Sequence, residues 1–101
     1  MEAFAALADP TRRQIVDLLA EGERSVGDLA RHFTVTQPAI SQHLRALQKA
    51  GLVRVRQDAQ RRIYSLDPHG FTQLDAWLLR YRGFWTNKLD SLERALTEET
   101  K

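Results

Sequence analysis

One face of a predicted helix carries side chains that can bind nucleic acid. Residues 37–50 (QPAISQHLRALQKA) place Ile40, Leu44 and Leu47 on a single apolar stripe at helical spacing. The opposite face holds amides, a hydroxyl and cations but no acid: Gln37, Ser41, Gln42, Arg45 and Lys49. Such groups contact base edges and phosphates in a major groove. For this stripe alone, an ordinary solvated helix face is the alternative.

Start and stop residues set the limits of the helices in the first half of the chain. Thr36 can accept a hydrogen bond from a free backbone N–H, and Pro38 fits the first turn of the helix just described. Gly51 follows the last apolar position, where a left-handed residue would end that helix. Asp9 and Pro10 are a natural cap and first residue for an earlier helix.

A shorter helix precedes the polar face. Ser25 and Asp28 form a capping pattern that opens a brief helix over residues 26–33. The sequence predicts a helix-turn-helix over residues 25–50, made of this helix, the turn after it and the helix that carries the polar face. The lengths of these elements and the capping residues at their ends are typical of that motif.

Residues 52–66 change to a period of two, which predicts a β-hairpin. The runs LVRVRQ and RRIYSL alternate apolar with basic or polar residues on either side of residues 58–60. Packed side chains are expected at Val53, Val55, Ile63 and, as a further candidate, Leu66. Because the tip lacks Asn-Gly or Asp-Gly, we expect a looser loop than a tight primed turn.

Four arginines lie on the outer face or at the tip of this predicted hairpin: Arg54, Arg56, Arg61 and Arg62. Lys and Arg often guard exposed edge strands, which is one explanation for them. Residues 31–62, however, carry seven Lys or Arg and only one acid, whereas the segments on either side are mildly acidic. A concentrated basic patch of this kind implies a polyanionic partner, so we favour nucleic-acid contacts.

The last predicted element is a long helix over residues 71–97. Its apolar positions follow three- and four-residue steps, at Phe71, Leu74, Leu78, Tyr81, Trp85, Leu89, Leu92 and Leu96, and Trp77 and Phe84 widen the stripe. The helix could fold back over the core. Its length argues against this, because about 27 residues at about 1.5 Å per residue make a helix longer than a domain of this size. An apolar surface this large indicates a homodimer instead, with residues 1–8 contributing. The predicted interface residues are Phe4, Leu7, Leu74, Trp77, Leu78, Tyr81, Trp85 and Leu89.

Composition limits the other classes of function. With 101 residues, 43% hydrophobic and 28% charged, the chain is expected to be one globular domain over residues 1–101. It has no cysteine, which excludes disulfides and thiolate metal sites. We see no signal pattern or membrane-length apolar run, so no membrane contact and a cytoplasmic location are expected. No Gly-rich phosphate loop, nucleophile–His pair or acid pair is present, so no enzymatic activity is expected.

Four stretches resemble the ArsR/SmtB family of bacterial winged helix-turn-helix repressors. They are residues 8–13 (ADPTRR), the short helix at 25–33, residues 37–44 (QPAISQHL) and residues 50–53 (AGLV). The resemblance covers most of the chain and implies a mainly α fold with a small β-hairpin, the wing, and a long C-terminal dimerisation helix. It also implies a homodimer that binds an imperfect palindrome near a promoter, usually as a repressor.

By position, this resemblance assigns recognition-helix contacts to Gln37, Ser41, Gln42 and Arg45, and wing contacts to Arg61 and Arg62. Together with the residues inferred above, the predicted contacts with double-stranded operator DNA are Gln37, Pro38, Ser41, Gln42, His43, Arg45, Lys49, Arg54, Arg56, Arg61 and Arg62.

The chain departs from the metal-sensing members of the family. Those members place a Cys-x-Cys-type motif near the short helix, where this chain has Ser-Val-Gly-Asp at residues 25–28. Others use His and acidic residues on the last helix, where only His69 lies near the start. His32, His43 and His69 share no helical spacing. The resemblance therefore points to the non-metal-sensing branch, which includes SdpR-like autorepressors, and no metal or other cofactor is expected.

Two alternatives to a simple DNA-binding repressor stay open. A winged helix can serve only as a protein–protein interaction module, since fold does not fix function. An acidic or apolar reading face would have favoured that role, and the basic centre of this chain does not. The DNA-binding dimer could also be controlled by an unidentified small ligand, because Trp77, Tyr81 and Trp85 are compatible with an apolar pocket between helices.

Overall fold

The computed structural model describes residues 2–99, which form five helices and three strands. In chain order these are α1 (Glu2–Leu7), α2 (Pro10–Glu21), β1 (Arg24–Ser25), α3 (Val26–Ala30), α4 (Gln37–Lys49), β2 (Val53–Asp58), β3 (Arg61–Leu66) and α5 (Pro68–Glu99). Met1, which belongs to the predicted dimerisation segment 1–8, lies outside the described residues. Within the described part of the chain, no helix combines the length and the apolarity needed to span a membrane.

The predicted caps start the helices. Asp9 accepts backbone N–H bonds from Thr11 (2.8 Å) and Arg12 (3.2 Å) at the start of α2. These bonds, chiefly the one from Arg12, hold the pKa of the Asp9 carboxyl below its ordinary value of 3.8. Ser25 and Asp28 form the full capping box at α3, which is shorter than the predicted 26–33. Thr36 Oγ1 accepts the N–H of Ala39 at 3.3 Å at the start of α4.

Asp9 gives the fold a pH dependence. Its folded-state pKa is lowered, so the carboxylate stabilises the protein above its ordinary pKa of 3.8 and loses that effect as the pH falls through the folded value. We expect Asp9→Ala to lower the free energy of unfolding at pH 7 by more than Asp9→Asn does, because Asn keeps an acceptor for the cap. Denaturant titrations from pH 7 to pH 2.5 should show the gap between wild type and Asp9→Asn closing at acid pH. A gap that is constant with pH would contradict this account.

The core lies where α2, α3 and α4 meet one face of the sheet. Its largest fully buried side chains are Ile15, Leu29, Ile40, Leu44, Leu47, Leu52 and Val53. Three of these come from the predicted apolar stripe of α4, which confirms that the opposite side of that helix faces solvent. Burying each Leu or Ile stabilises the fold by about 1.5–3 kcal/mol before entropy costs, so α4 is held rigidly in place by its inner face.

The sheet differs from the predicted hairpin in two respects. It has three antiparallel strands in the order β1-β3-β2, because Arg24 and Ser25 pair with Tyr64 and Ile63. The hairpin tip is a two-residue turn, since Asp58 pairs directly with Arg61, and the expected looser loop was wrong. The tight turn is possible because Ala59 adopts a left-handed backbone with φ 55°.

This register also corrects the packed side of the hairpin. Val55 lies opposite Tyr64, whereas Ile63 lies opposite Arg56. Because directly opposed residues share a face, Tyr64 joins Val53 and Val55 on the face packed on the helices. Ile63 is buried at 7% exposure but on the other face, outside the main core cluster. Its predicted place beside Val53 and Val55 was wrong.

Gly51 and Gly70 join the end of α4 to the start of α5. Gly51, with φ 75°, donates its N–H to Gln48 O, and Leu52 donates to Leu47 O, which is the Schellman pattern. The carbonyl of Gly51 then accepts the N–H of Gly70 at 2.7 Å. A Cβ added at Gly70 would lie 2.7 Å from that carbonyl oxygen and 2.8 Å from Leu52 Cδ2. The two helices can approach this closely only because residue 70 has no side chain.

We expect Gly70→Ala to destabilise the protein by about 1–3 kcal/mol, because backbone and a buried leucine must shift to admit the methyl group. Gly83→Ala is the matched control on the same helix, since nothing lies within 4 Å of its added Cβ. That control should be neutral or stabilising by up to about 1 kcal/mol. Chemical unfolding at one fixed protein concentration measures both. Equal effects of the two substitutions would contradict the proposed crowding at residue 70.

α5 extends far beyond the body of the protein. It begins at Pro68 rather than at the predicted residue 71, runs for 32 residues and gives the molecule a longest dimension of 62 Å. Its first turns pack on the body through Leu74 and Phe71. Every described side chain from residue 75 to residue 98 is exposed. The helix therefore does not fold back over the core.

Candidate nucleic-acid interface

The outward face of α4 is exposed as predicted. Gln37, Pro38, Gln42, Arg45 and Lys49 are all exposed, and Ser41 is half-buried at the edge of the face. No acidic residue lies on α4. Because the opposite side is locked into the core, these amide and cationic groups are presented from a rigid helix. Such a helix can enter a major groove and place its side chains against base edges.

His43 has a different position from the other predicted contacts. It is half-buried on the flank of α4 that faces α2, and its Nδ1 accepts a hydrogen bond from Arg12 Nε at 3.2 Å. This bond directs the ring towards α2 rather than towards the exposed centre of the face. We therefore leave His43 out of the proposed interface.

Two of the four predicted wing arginines are engaged by acids. Arg56 makes two bonds to Glu23, from Nε at 3.1 Å and from a terminal nitrogen at 3.2 Å. This pairing lowers the pKa of Glu23 and raises that of Arg56. Arg61 contacts Asp28 at 3.2 Å, and the bonds of Asp28 with Ser25, aided by Arg61, lower the pKa of its carboxyl. Arg56 and Arg61 thus join the wing to the segments before and inside α3.

Residues 31–62 carry seven Lys or Arg and one acid, but fewer of these cations are free of ion pairs than that count implied. Within residues 2–99, the ion pairs take up Arg31, Arg56 and Arg61 of that segment. The other cations of the segment, Arg45, Lys49, Arg54 and Arg62, make no ion pair within 4 Å among the described residues, although Arg54 is near enough to Glu23 to help lower the pKa of its carboxyl. Of these, Arg54 lies opposite Ser65 on the face of the sheet that carries Ile63, whereas Arg62 is on the face of Tyr64, turned towards α4.

No local pattern of residues predicts these ion pairs. Glu23 and Asp28 are each 33 residues from their arginine partners. Only the pairing of β1 with β3 brings them together, and a two-residue strand has too little pattern to be found from sequence. Tyr64 was missed as a functional candidate for a similar reason, because its face depends on the register set by the tight turn.

Aromatic side chains attach α1 to α5. Phe4 and Trp77 meet edge to face with ring centroids 5.0 Å apart, and Trp77 stacks obliquely on Tyr81 at 4.8 Å. These rings stay more than a third exposed. Of the predicted interface residues, Leu74 is 8% exposed and packs in the protomer's own core, where Leu7 is also partly buried. The remaining members present one continuous apolar face to solvent.

That apolar face continues along the free part of α5. Its exposed members are Leu78, Tyr81, Trp85, Leu89, Leu92 and Leu96, with exposures of 41–62%. An exposed apolar surface of this length marks an interaction site rather than an ordinary helix surface.

The histidines are apart and engaged locally. His32 Nδ1 lies 3.1 Å from Asp28 O on α3, His43 bonds to Arg12, and His69 lies beside Gly51. Among the side chains that the structure describes, no group of three or more His, Asp or Glu comes together to hold a metal. The expectation that the protein needs no metal stays a prediction.

A helix-turn-helix, a three-stranded wing and a long C-terminal helix define a winged helix-turn-helix protein. Residues 9–55 match the family model of bacterial regulatory proteins of the arsR family. The HTH-type transcriptional regulator Rv2034 of Mycobacterium tuberculosis is 46% identical over 97 residues, covering 96% of this chain and 88% of that protein. The transcriptional repressor SdpR of Bacillus subtilis is 38% identical over 78 residues, covering 77% of this chain and 87% of SdpR. The protein belongs to the ArsR family.

The fold is also that of a solved relative. The solution structure of the homodimeric winged helix-turn-helix DNA-binding domain of Mb0332 from Mycobacterium bovis, a possible ArsR-family transcriptional regulator, has a TM-score of 0.66 and 33% identity. The match covers 81% of this chain and 76% of that one. The family and the fold inferred from the sequence are thereby confirmed.

Proposed function

We propose that this protein is a homodimeric transcriptional repressor that binds a palindromic operator in double-stranded DNA. The observation that carries the proposal is the exposed, acid-free outer face of α4, whose opposite face is buried in the core. The proposed contacts are Gln37, Pro38, Ser41, Gln42, Arg45 and Lys49 on α4 and Arg62 on the wing. Acting on DNA in a bacterial cell would place the protein in the cytoplasm, and it would have no enzymatic activity.

The amide and the cationic side chains on α4 would make different contributions to DNA binding. The amide of Gln42 can donate to and accept from one base edge, so it would supply sequence preference. Arg45 and Lys49 carry unpaired charge, so they would neutralise phosphates and release counterions. We leave Arg54, Arg56 and Arg61 out of the interface, because the first lies on the sheet face turned away from α4 and the others are paired with acids.

A dimer follows from the exposed stripe of α5 and is supported by the homodimeric state of the Mycobacterium bovis relative. Two copies of α4 would then enter successive major grooves about 34–36 Å apart. A repressing role is supported by the similarity to SdpR, a transcriptional repressor.

A footprint tests this function. We expect the purified protein to protect an interrupted palindrome in the DNA upstream of its own gene, with protected half-sites about 10–10.5 base pairs apart. A selection from random duplexes should return the same half-site. If neither experiment yields a preferred sequence at physiological salt, the protein is not an operator-binding repressor.

A further inference from the structure

A cleft lies between α4 and the wing, on the side of the sheet that faces the helices. It has a volume of about 140 Å³. It is lined by Val26, Ser41, Arg45, Gln48, Arg62 and Tyr64. Five of these six residues carry a hydrogen-bond donor, and none is an acid. The cleft therefore favours an anion.

The polar groups of this cleft lack partners within the protein. Arg45 and Arg62 make no ion pair with any residue in the described range 2–99, in contrast to Arg56 and Arg61. Tyr64 is only 5% exposed, yet its hydroxyl has no hydrogen-bond partner among those residues. No unpaired side-chain N or O atom is sealed from solvent in the described structure, and Tyr64 lines the cleft, so we infer that its hydroxyl opens into the cleft. A buried tyrosine normally bonds its hydroxyl, so the free donor points to a ligand.

We propose that this cleft binds one phosphate group, an inference that rests on the proposed DNA-binding function. Two guanidinium groups, which suit the oxygens of a phosphate, would be joined by the hydroxyls of Ser41 and Tyr64. The volume of about 140 Å³ corresponds to roughly four or five water molecules, which suits a group of five heavy atoms. Gln48 would donate from the rim.

The geometry of DNA indicates where such a phosphate comes from. The major and minor grooves are separated by one sugar–phosphate backbone. A helix in the major groove and a wing at the adjacent minor groove must therefore straddle that backbone, and the cleft lies between the two. A free phosphate has the same chemistry and would occupy the same donors, so it would compete with the operator.

The chain offers a charge-matched control for this site. Arg54 and Arg62 lie on the same hairpin, and neither makes an ion pair within 4 Å among the described residues, although Arg54 is near enough to Glu23 to help lower the pKa of its carboxyl. The two arginines lie on opposite faces of the sheet. Arg54 is outside the cleft. Replacing either with Gln removes one positive charge from the wing. Only Arg62→Gln removes a ligand of the proposed phosphate.

Binding to the footprinted operator and to a scrambled duplex should be measured over a range of salt concentrations. Arg62→Gln should weaken binding to both duplexes alike and make the log–log salt slope of a dimer shallower by about 2. Tyr64→Phe, which removes one oxygen atom and keeps the packed ring, should weaken binding roughly tenfold with the slope unchanged. Arg54→Gln should change affinity by less than Arg62→Gln. Equal effects of Arg54→Gln and Arg62→Gln, with none from Tyr64→Phe, would overturn the proposal.

Two further arms identify the source of the phosphate. Uncharged methylphosphonates should be placed in the operator one at a time. At one backbone position per half-site, the replacement should lower the operator affinity of wild type and of Arg54→Gln. The affinity of Arg62→Gln, which is already reduced, should fall little further at that position. Calorimetry with inorganic phosphate, at constant ionic strength and without DNA, tests the free ion. Phosphate binding that Tyr64→Phe and Arg62→Gln abolish, in the absence of any effect confined to one backbone position of the operator, would assign the cleft to free phosphate instead of DNA. The cleft is not a phosphate site if the effects of Arg62→Gln and of every methylphosphonate are independent and no phosphate binding is seen. This conclusion holds whether or not the protein binds DNA.

Discussion

Replacing Leu78 and Trp85 with alanine should convert the protein to a monomer and weaken operator binding by about 10²–10⁴-fold. Both side chains lie on the exposed apolar stripe of α5, at 44% and 52% exposure, and a partner would cover them. A monomer can occupy only one half-site at a time, so it loses the gain in effective concentration that links two reading helices. Sedimentation equilibrium and anisotropy titrations measure the two effects.

Leu79→Ala is the control for that substitution. Leu79 is 56% exposed on the same helix but points away from the stripe. It should leave both the dimer and the operator affinity close to wild type, while circular dichroism checks that all three proteins stay helical. A wild-type protein that sediments as a monomer at micromolar concentration would contradict the proposed assembly.

Gln42→Ala should weaken binding to the operator by about 1–3 kcal/mol per half-site and relax the preference at one base pair in each half. Gln42 is exposed on the outer face of α4, where its amide can both donate to and accept from a base edge. Binding to a scrambled duplex should hardly change, because that complex depends on phosphate contacts rather than on base contacts.

Lys49→Ala provides the contrast on the same face. Lys49 is exposed, and its ammonium group carries a charge and only donates hydrogen bonds. Unlike the amide of Gln42, it cannot both donate to and accept from one base edge. Its loss should weaken operator and scrambled DNA alike and make the salt slope of a dimer shallower by about 2. If Gln42→Ala instead weakens both duplexes equally while Lys49→Ala spares the scrambled one, the two roles have been assigned in reverse.

Periodicity and caps were sufficient to locate the helices of this fold, although α3 ends earlier and α5 begins earlier than predicted. The apolar stripe of α4, the cap residues Asp9 and Thr36 and the glycine at position 51 each act through neighbours within one or two turns, so sequence alone locates them. The same local logic predicted the outer face of α4. It also predicted the long exposed stripe of α5, because that helix makes few contacts with the body.

Pairings over long sequence separations could not be predicted in this way. β1 has two residues and exists only because β3 lies beside it. The face of Tyr64 depends on whether the wing turn has two residues or three, and a slip of one residue exchanges the faces. The neutralisation of Arg56 and Arg61 and the cleft beneath Arg62 both follow from that register, so the sequence overestimated the free charge of the wing.

The ratio of affinities for operator and scrambled DNA tests the central claim most directly. Anisotropy titrations of the wild-type protein at physiological salt, with two duplexes of equal length and composition, supply both dissociation constants. A sequence-reading dimer should bind the footprinted palindrome at least about 10³-fold more tightly than the scrambled duplex. Equal affinity for the two duplexes, or no binding to either, would contradict the claim that the outer face of α4 reads DNA.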